Sequence, residues 1–237
     1  MDRFQHNNQQ LMQIFEDIAH TVNAPKQLTT IFKIALQNKS LFPVQKNTNS
    51  DQKYIKKWIM RFMQDWENPP SSKIISAKSL YSDLAVKLIV QLMTNASEKT
   101  VNNYEQHHKL FMAAENVQGK LLEEYIANNI EDYGWLWCQG MVLRSIDFCA
   151  NDGHIFLQIK NKFNTENSSG RAIRNNTKIL KWNRLSYIRQ DKCIKPIYHW
   201  SELNDIINGH SRNIKGHTCQ MSEEKYLAFL KTITFTT

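Results

Sequence analysis

Two short apolar segments joined by a turn stand near the middle of the chain: Ser145-Ile-Asp-Phe-Cys-Ala-Asn-Asp-Gly-His-Ile-Phe-Leu-Gln-Ile-Lys160. The central Asn151-Asp-Gly153 is typical of a turn between antiparallel strands. We therefore predict a hairpin, with Asp147 at the end of the first strand. Side chains alternate along a strand, so Gln158 and Lys160 share one face of the second strand.

The residue types on these two strands suit metal-dependent chemistry on a phosphate. Asp147 and Gln158 can supply two oxygen ligands, which Mg²⁺ prefers, and Lys160 adds an ammonium group beside them. A bound metal can stabilise charge on a phosphate, while the ammonium group orients or acidifies the attacking water. The pattern favours hydrolysis of a phosphodiester. Lys162 lies on the same strand face and is the alternative to Lys160 for the lysine role.

A third acidic residue is expected from a long helical pattern that spans residues 101–130. On a helical wheel Glu123 borders the apolar stripe, so it can point toward the sheet, whereas Glu124 points outward. Glu115 also falls within the stripe if the helix is continuous. Glu115 is therefore the second candidate for the inward acid.

The rest of the chain predicts an α+β fold. Four apolar stripes at helical spacing, which we expect to form core, cover residues 11–18, 28–36, 54–62 and 80–93. Strand-like runs cover 135–138, 141–143, 145–148, 155–160 and 194–200, and helices are expected at 172–183, 202–207 and 223–233. We predict a helical N-terminal region at 1–100 and a mixed sheet flanked by helices at 101–237. One compact domain is the alternative to this division.

Charge and composition narrow the class of protein. The net charge of +8 lies entirely in residues 156–195, which hold ten basic residues against Glu166 and Asp191. Amide, hydroxyl and aromatic groups are mixed with these basic groups, as in nucleic-acid-binding surfaces. The hydrophobic fraction of 41% argues against wholesale disorder. We expect no membrane span or signal peptide, and the four cysteines predict buried thiols of a soluble, cytoplasmic protein.

The residues Glu123, Asp147 and Gln158-Ile-Lys160 resemble the PD-(D/E)XK nuclease pattern, whose core is a helix-flanked mixed sheet. Gly119-x-Leu-Leu-Glu123 with Asp147-Phe148 is also similar to the mismatch-repair nicking endonucleases of that superfamily. A more specific likeness covers roughly residues 113–184. Its residues are Ala114-Glu-Asn116, Trp135-Leu-Trp137, the stretch from Gln158 to Ser169, Ile173-Arg174 and Lys181-Trp182. These resemble the SinI-like type II restriction endonucleases.

The resemblance implies a role for each site residue. Asp147 would be the central metal ligand, Gln158 and the backbone carbonyl of Ile159 would complete the inner shell, and Glu123 would hold a second metal or its waters. Lys160 would position water. Gln158 departs from the usual Asp or Glu, and a neutral amide supplies an oxygen ligand without charge. Mg²⁺ binding then depends more on Glu123.

Recognition of DNA is expected from the polar segment after the second strand. Its candidate contacts to DNA are Lys162, Asn164, Asn167, Ser168, Ser169, Arg171, Arg174 and Lys181. The two arginines can each pair with guanine O6 and N7. The alternative is that 164–169 only caps a helix and holds one phosphate.

The resemblance implies a homodimer that cleaves a short, nearly palindromic GG/CC-flanked site in double-stranded DNA, such as GGWCC or GGNCC. A bacterial cytoplasmic location and a cognate DNA methyltransferase as genetic partner are expected with it. The rival hypotheses are a nicking or repair endonuclease, a non-catalytic sequence-specific DNA-binding protein, and a protein-interaction scaffold built on the N-terminal helices.

Overall fold

The computed structural model describes residues 4–72, 83–162, 178–190, 193–210 and 216–233. In this part of the chain the α-helices are α1 (Asn8–Thr21), α2 (Lys26–Gln37), α3 (Asp51–Glu67), α4 (Leu84–Thr94), α5 (Glu98–Ile130), α6 (Trp200–Gly209) and α7 (Glu223–Thr232). The strands are β1 (Trp135–Trp137), β2 (Phe148–Ala150), β3 (Ile155–Lys162), β4 (Lys178–Gln190) and β5 (Cys193–Tyr198). The predicted α+β class is confirmed.

The described strands form one mixed sheet in the order β1-β2-β3-β4-β5. Neighbours are antiparallel except β3 and β4, which run parallel. The 13-residue β4 is long enough to pair twice. Its first part pairs with β3 up to Leu185, and the part from Leu185 onward pairs with β5. The β4–β5 hairpin therefore extends past the end of β3.

The predicted hairpin is confirmed between β2 and β3. Phe148 lies opposite Leu157, and Gly153 takes the positive φ of 74° that the turn requires. The first strand begins later than predicted, however, at Phe148. Ser145 has φ 56°, so the chain bends there and reaches extended pairing only beyond Asp147.

Two apolar layers cover the two faces of the sheet. Buried residues of α1, α2 and α3 pack with Phe156 on one face, and buried residues of α5, α6 and α7 pack with Leu157 and Trp182 on the other. The buried Trp58 of α3 donates from Nε1 to the carbonyl of Val142 at 2.8 Å. The N-terminal helices thus hold the segment that leads into β2. The division at residue 100 stays a prediction.

Three expectations from local pattern were wrong. Residues 141–143 are not a strand, because Gln139–Met141 form a 3₁₀ turn that fits closely against α3. Residues 178–183, predicted to be helical, are part of β4, since pairing with β3 buries Trp182. The remainder of that predicted helix lies outside the described residues. The fourth apolar stripe became α4, which buries none of its residues.

The described helices include none with the length and apolar character needed to cross a membrane.

Candidate active site

Asp147 is held rigidly at the start of β2. Its N–H donates to the carbonyl of Leu157 at 2.9 Å, and its carbonyl accepts from the N–H of Cys138 at 2.8 Å. The side-chain Oδ2 accepts from the backbone N–H of Ile159 at 2.7 Å. Two strands therefore fix both the backbone and the carboxylate of Asp147, which faces the Gln158-Ile159-Lys160 segment of β3.

Glu123 approaches the same place from α5. Its neighbours Leu122 and Ile126 pack in the core with Leu157, and this packing turns Glu123 toward the sheet, as predicted. The Nε1 of Trp137 donates to Glu123 Oε2 at a long 3.5 Å. Helix α5 and strands β1, β2 and β3 thus converge on one small site.

The two carboxyl groups oppose each other's ionisation. The pKa of Glu123 is raised from 4.5 to about 8, mainly by burial and next by the charge of Asp147. Burial also raises the pKa of Asp147, from 3.8 to about 6, against the lowering effects of the Ile159 N–H and Lys160. Two partly buried carboxylates that favour protonation form a site where a cation would relieve both penalties.

The donor set fits a hard divalent cation. Carboxylate oxygens come from Asp147 and Glu123, and the buried Gln158 lies beside them on β3. Within the described ranges no cluster of three or more His, Cys, Asp and Glu side chains is present. The predicted carbonyl ligand of Ile159 stays a prediction, since its known contact with Asp147 is through the N–H.

The two candidate lysines have different surroundings. Lys160 is exposed, and its charge lowers the pKa of both Glu123 and Asp147. Lys162 instead donates to Glu115 Oε1 at 3.0 Å in a pair in which both side chains are largely exposed. Glu115, the second candidate acid, is therefore paired at the surface. The geometry favours Lys160 and Glu123 for the site.

The prediction that Glu124 points outward was wrong. It is buried, and its carboxylate accepts from the backbone N–H of Ser71 at 2.8 Å and from the Ser71 hydroxyl. The 3₁₀ turn Pro70–Ser72 covers this side of α5. A helical wheel of α5 could not predict this burial, because the covering residues Pro70–Ser72 lie far from Glu124 in the sequence.

The DNA-binding candidates are only partly described. Lys162 and Lys181 are exposed, and Lys181 pairs with Gln158 across β3 and β4. The others lie outside the described residues: Asn164, Asn167, Ser168, Ser169, Arg171 and Arg174.

Comparison with known proteins identifies the family. A model of the SinI restriction endonuclease family matches residues 70–228, which include Glu123, Asp147, Gln158 and Lys160. The chain belongs to this family. The resemblance predicted from the sequence is thereby confirmed, and the family agrees with the predicted class of site-specific deoxyribonuclease.

Two type II restriction enzymes are similar to the chain. Eco47I of Escherichia coli is 35% identical over 153 residues, which cover 63% of this chain and 60% of that enzyme. SinI of Salmonella infantis is 29% identical over 219 residues, covering 88% of this chain and 91% of that enzyme. The match to Eco47I thus spans less than two thirds of that enzyme's length.

Sequence reasoning missed a polar network that this SinI-family chain builds beside the site. Arg184 is one of the ten basic residues in 156–195 whose mixture with polar groups predicted a nucleic-acid-binding surface, but it is buried and forms an ion pair with Glu223 of α7. Its Nε donates to Asn161 Oδ1 at 2.9 Å, and Asn161 Nδ2 donates to Gln118 Oε1 of α5 at 2.7 Å. The network ties β3, directly after Lys160, to the helix that carries Glu123. Strand alternation from the buried Trp182 was the available signal, because it places Arg184 on the covered face.

Proposed function

We propose that this chain is a Mg²⁺-dependent type II restriction endonuclease that hydrolyses phosphodiester bonds in double-stranded DNA. The observation that carries the proposal is the meeting of Asp147 and Glu123 beside Ile159 and Lys160 on the mixed sheet. The names of both relatives as type II restriction enzymes support the same activity.

Each residue has a distinct task in this reaction. Asp147, Glu123, the Gln158 side chain and the Ile159 carbonyl would hold Mg²⁺. When bound, the metal supplies an acidified water and stabilises charge on the phosphate. Lys160, exposed next to both carboxylates, orients the water by donating a hydrogen bond to it. Loss of the proton that Glu123 holds up to a pKa of about 8 would accompany metal binding.

The DNA would lie along the strand face of Lys160. Exposed basic groups continue from there across the sheet on the same face: Lys162 on β3, Lys181 on β4, and Arg189 on the projecting hairpin. Cations along one path suit contacts with successive phosphates. The buried Arg184 is not part of this surface.

Base recognition is proposed for the polar segment between β3 and β4. Arg171 and Arg174 would read guanines in a GG/CC-flanked site such as GGWCC or GGNCC, and Asn164, Asn167, Ser168 and Ser169 would contact bases or phosphates. A short, nearly palindromic site calls for a homodimer, which places one active site on each DNA strand. A cognate DNA methyltransferase and a bacterial cytoplasmic location complete the proposal.

A digest of long, unmethylated DNA tests the activity. Purified protein with Mg²⁺ should give discrete fragments whose ends define one site. Asp147→Ala and Lys160→Ala should abolish cleavage while retaining DNA binding in Ca²⁺, and Lys162→Ala, on the same strand face, should retain cleavage. Intact DNA would support a non-catalytic binding protein. Nicked circles without linear plasmid would support a nicking or repair enzyme.

A further inference from the structure

Helix α4 presents an apolar face that nothing in the described chain covers. Its side chains are large, and two are almost fully open to solvent, with 84% of Leu92 and 80% of Met93 exposed. The other members of this face, which we call the α4 face, are Leu84, Leu88 and Ile89, each exposed by half or more. This face is the stripe that the sequence predicted to be core.

The α4 face lies on the side of the helix opposite Lys87. On a helical wheel its five residues span about half of the helix circumference. The opposite side meets α5, where Lys87 forms an ion pair with Glu105 at 2.8 Å and donates to Asn102 at 2.9 Å. Helix α4 thus meets α5 through Lys87 and through Val86 and Val90, which line a groove with Val101 of α5. The α4 face lies outside this contact.

Such a face is costly for a single chain. The five side chains expose on the order of 500 Å² of apolar surface, at the upper end of the largest patch on a typical monomer. Helix α4 has 11 residues and buries none of them. Helices this short draw most of their stability from packing an apolar side. The packing partner for α4 therefore has to come from outside the described fold.

We propose that the α4 face is the homodimer interface, covered by the α4 face of a second copy of this chain. The proposal rests on the proposed function in one respect: each chain holds one Asp147–Lys160 site, and cutting two strands needs two. A two-fold axis brings identical surfaces together, and an all-aliphatic face is complementary to itself.

Charge and area favour a second copy over other occupants. The α4 face carries no charged side chain, so two copies meet there without repulsion although each chain has a net charge of +8. For the same reason the face offers DNA no cation to contact. The five side chains alone expose on the order of 500 Å², more than half of the about 800 Å² that each partner contributes to a standard interface.

Sedimentation of the full chain without DNA or metal tests the interface independently of any nuclease activity. Wild type should be a dimer at micromolar concentration. The double variant Leu88→Glu, Leu92→Glu would bring four carboxylates together and should weaken the dimer by about 100-fold or more. The control Val44→Glu adds one carboxylate per chain at a residue that is 72% exposed elsewhere, and should leave the dimer intact. The single variant Leu92→Glu, which adds the same charge on the α4 face, should already weaken the dimer.

Each result decides the proposal. A monomeric wild type, or a dimer that survives the double variant, overturns it. If the double variant does not fold, hydrogen exchange of the α4 backbone amides in wild type tests the interface instead. Exchange that is slow at high protein concentration and becomes fast on dilution supports the interface. Exchange independent of concentration overturns it, and would point to a segment of the same chain or another partner on this face.

Discussion

Replacing Glu123 with glutamine should stabilise the metal-free protein increasingly as pH rises. The substitution keeps the size of the side chain and an oxygen that can accept from Trp137 Nε1, but it removes the charge. The pKa of Glu123 is raised from 4.5 to about 8, chiefly by burial and then by Asp147, against smaller lowering effects of Trp137, Lys160 and Lys120. Wild type therefore bears a pH-dependent penalty that the glutamine variant lacks.

The sign of the effect follows from proton binding. Below pH 4.5 the folded and unfolded states both hold the proton, so the carboxyl group contributes nothing. Between pH 4.5 and about 8 the unfolded state loses its proton while the folded state keeps it, and stability falls as pH rises. At about 1.4 kcal/mol per pH unit, the penalty at pH 7 is on the order of 3 kcal/mol.

Thermal and denaturant unfolding of wild type and Glu123→Gln in EDTA, from pH 5 to pH 8, measures this difference. Stabilities should nearly coincide at pH 5 and separate by roughly 3 kcal/mol at pH 7, equivalent to roughly 6–12 °C in Tm for a chain of this size. Mg²⁺ should stabilise wild type more than the variant, because the cation takes the place of the proton.

Glu115→Gln is the matched control for this experiment. It makes the same change on the same helix, but at an exposed residue paired with Lys162. The stability difference between Glu115→Gln and wild type is therefore the reference at each pH. A gap between wild type and Glu123→Gln that stays constant across the pH range, or a variant less stable than wild type at pH 8, would refute the reasoning.

Three further outcomes follow from other parts of the structure. Lys160→Met should lower kcat at least about 100-fold at unchanged DNA affinity, whereas Lys162→Met should lower affinity alone; single-turnover cleavage and binding in Ca²⁺ separate the two. Lys181→Gln should reduce the slope of log affinity against log salt by about 1, and an unchanged slope places this residue off the DNA. Gly140→Ala puts a Cβ 2.5 Å from a carbonyl oxygen of α3 at φ 69°, and should cost on the order of 3 kcal/mol. Gly209→Ala, with open space around it, is its control in denaturant unfolding.

The sequence was sufficient to predict how the candidate site residues lie relative to one another, because their placement depends on local rules. One turn and strand alternation fix the positions of Asp147, Gln158 and Lys160 relative to one another, and the helical wheel turned Glu123 correctly. Glu124 and Arg184 were misjudged for one shared reason. Each is buried by a segment far away in sequence, Ser71 in one case and Glu223 in the other. Local pattern says which side chains share a face but not what covers that face.

The remaining errors separate into two kinds. Residues 178–183 can form either a helix or a strand, and the parallel pairing with β3 decides between them. The prediction for α4 fails for a different reason. Its residues are as apolar as a core helix requires, but the described chain supplies no partner that covers them.

Glu123 and Asp147 are polar residues in an unfavourable environment, because burial opposes their charge. A sequence and its fold are expected to agree except where function requires otherwise. In the described part of the chain, the uncovered apolar face of α4 and the partly buried acids Glu123 and Asp147 both call for a binding partner. A second copy would relieve the first and a divalent cation the second.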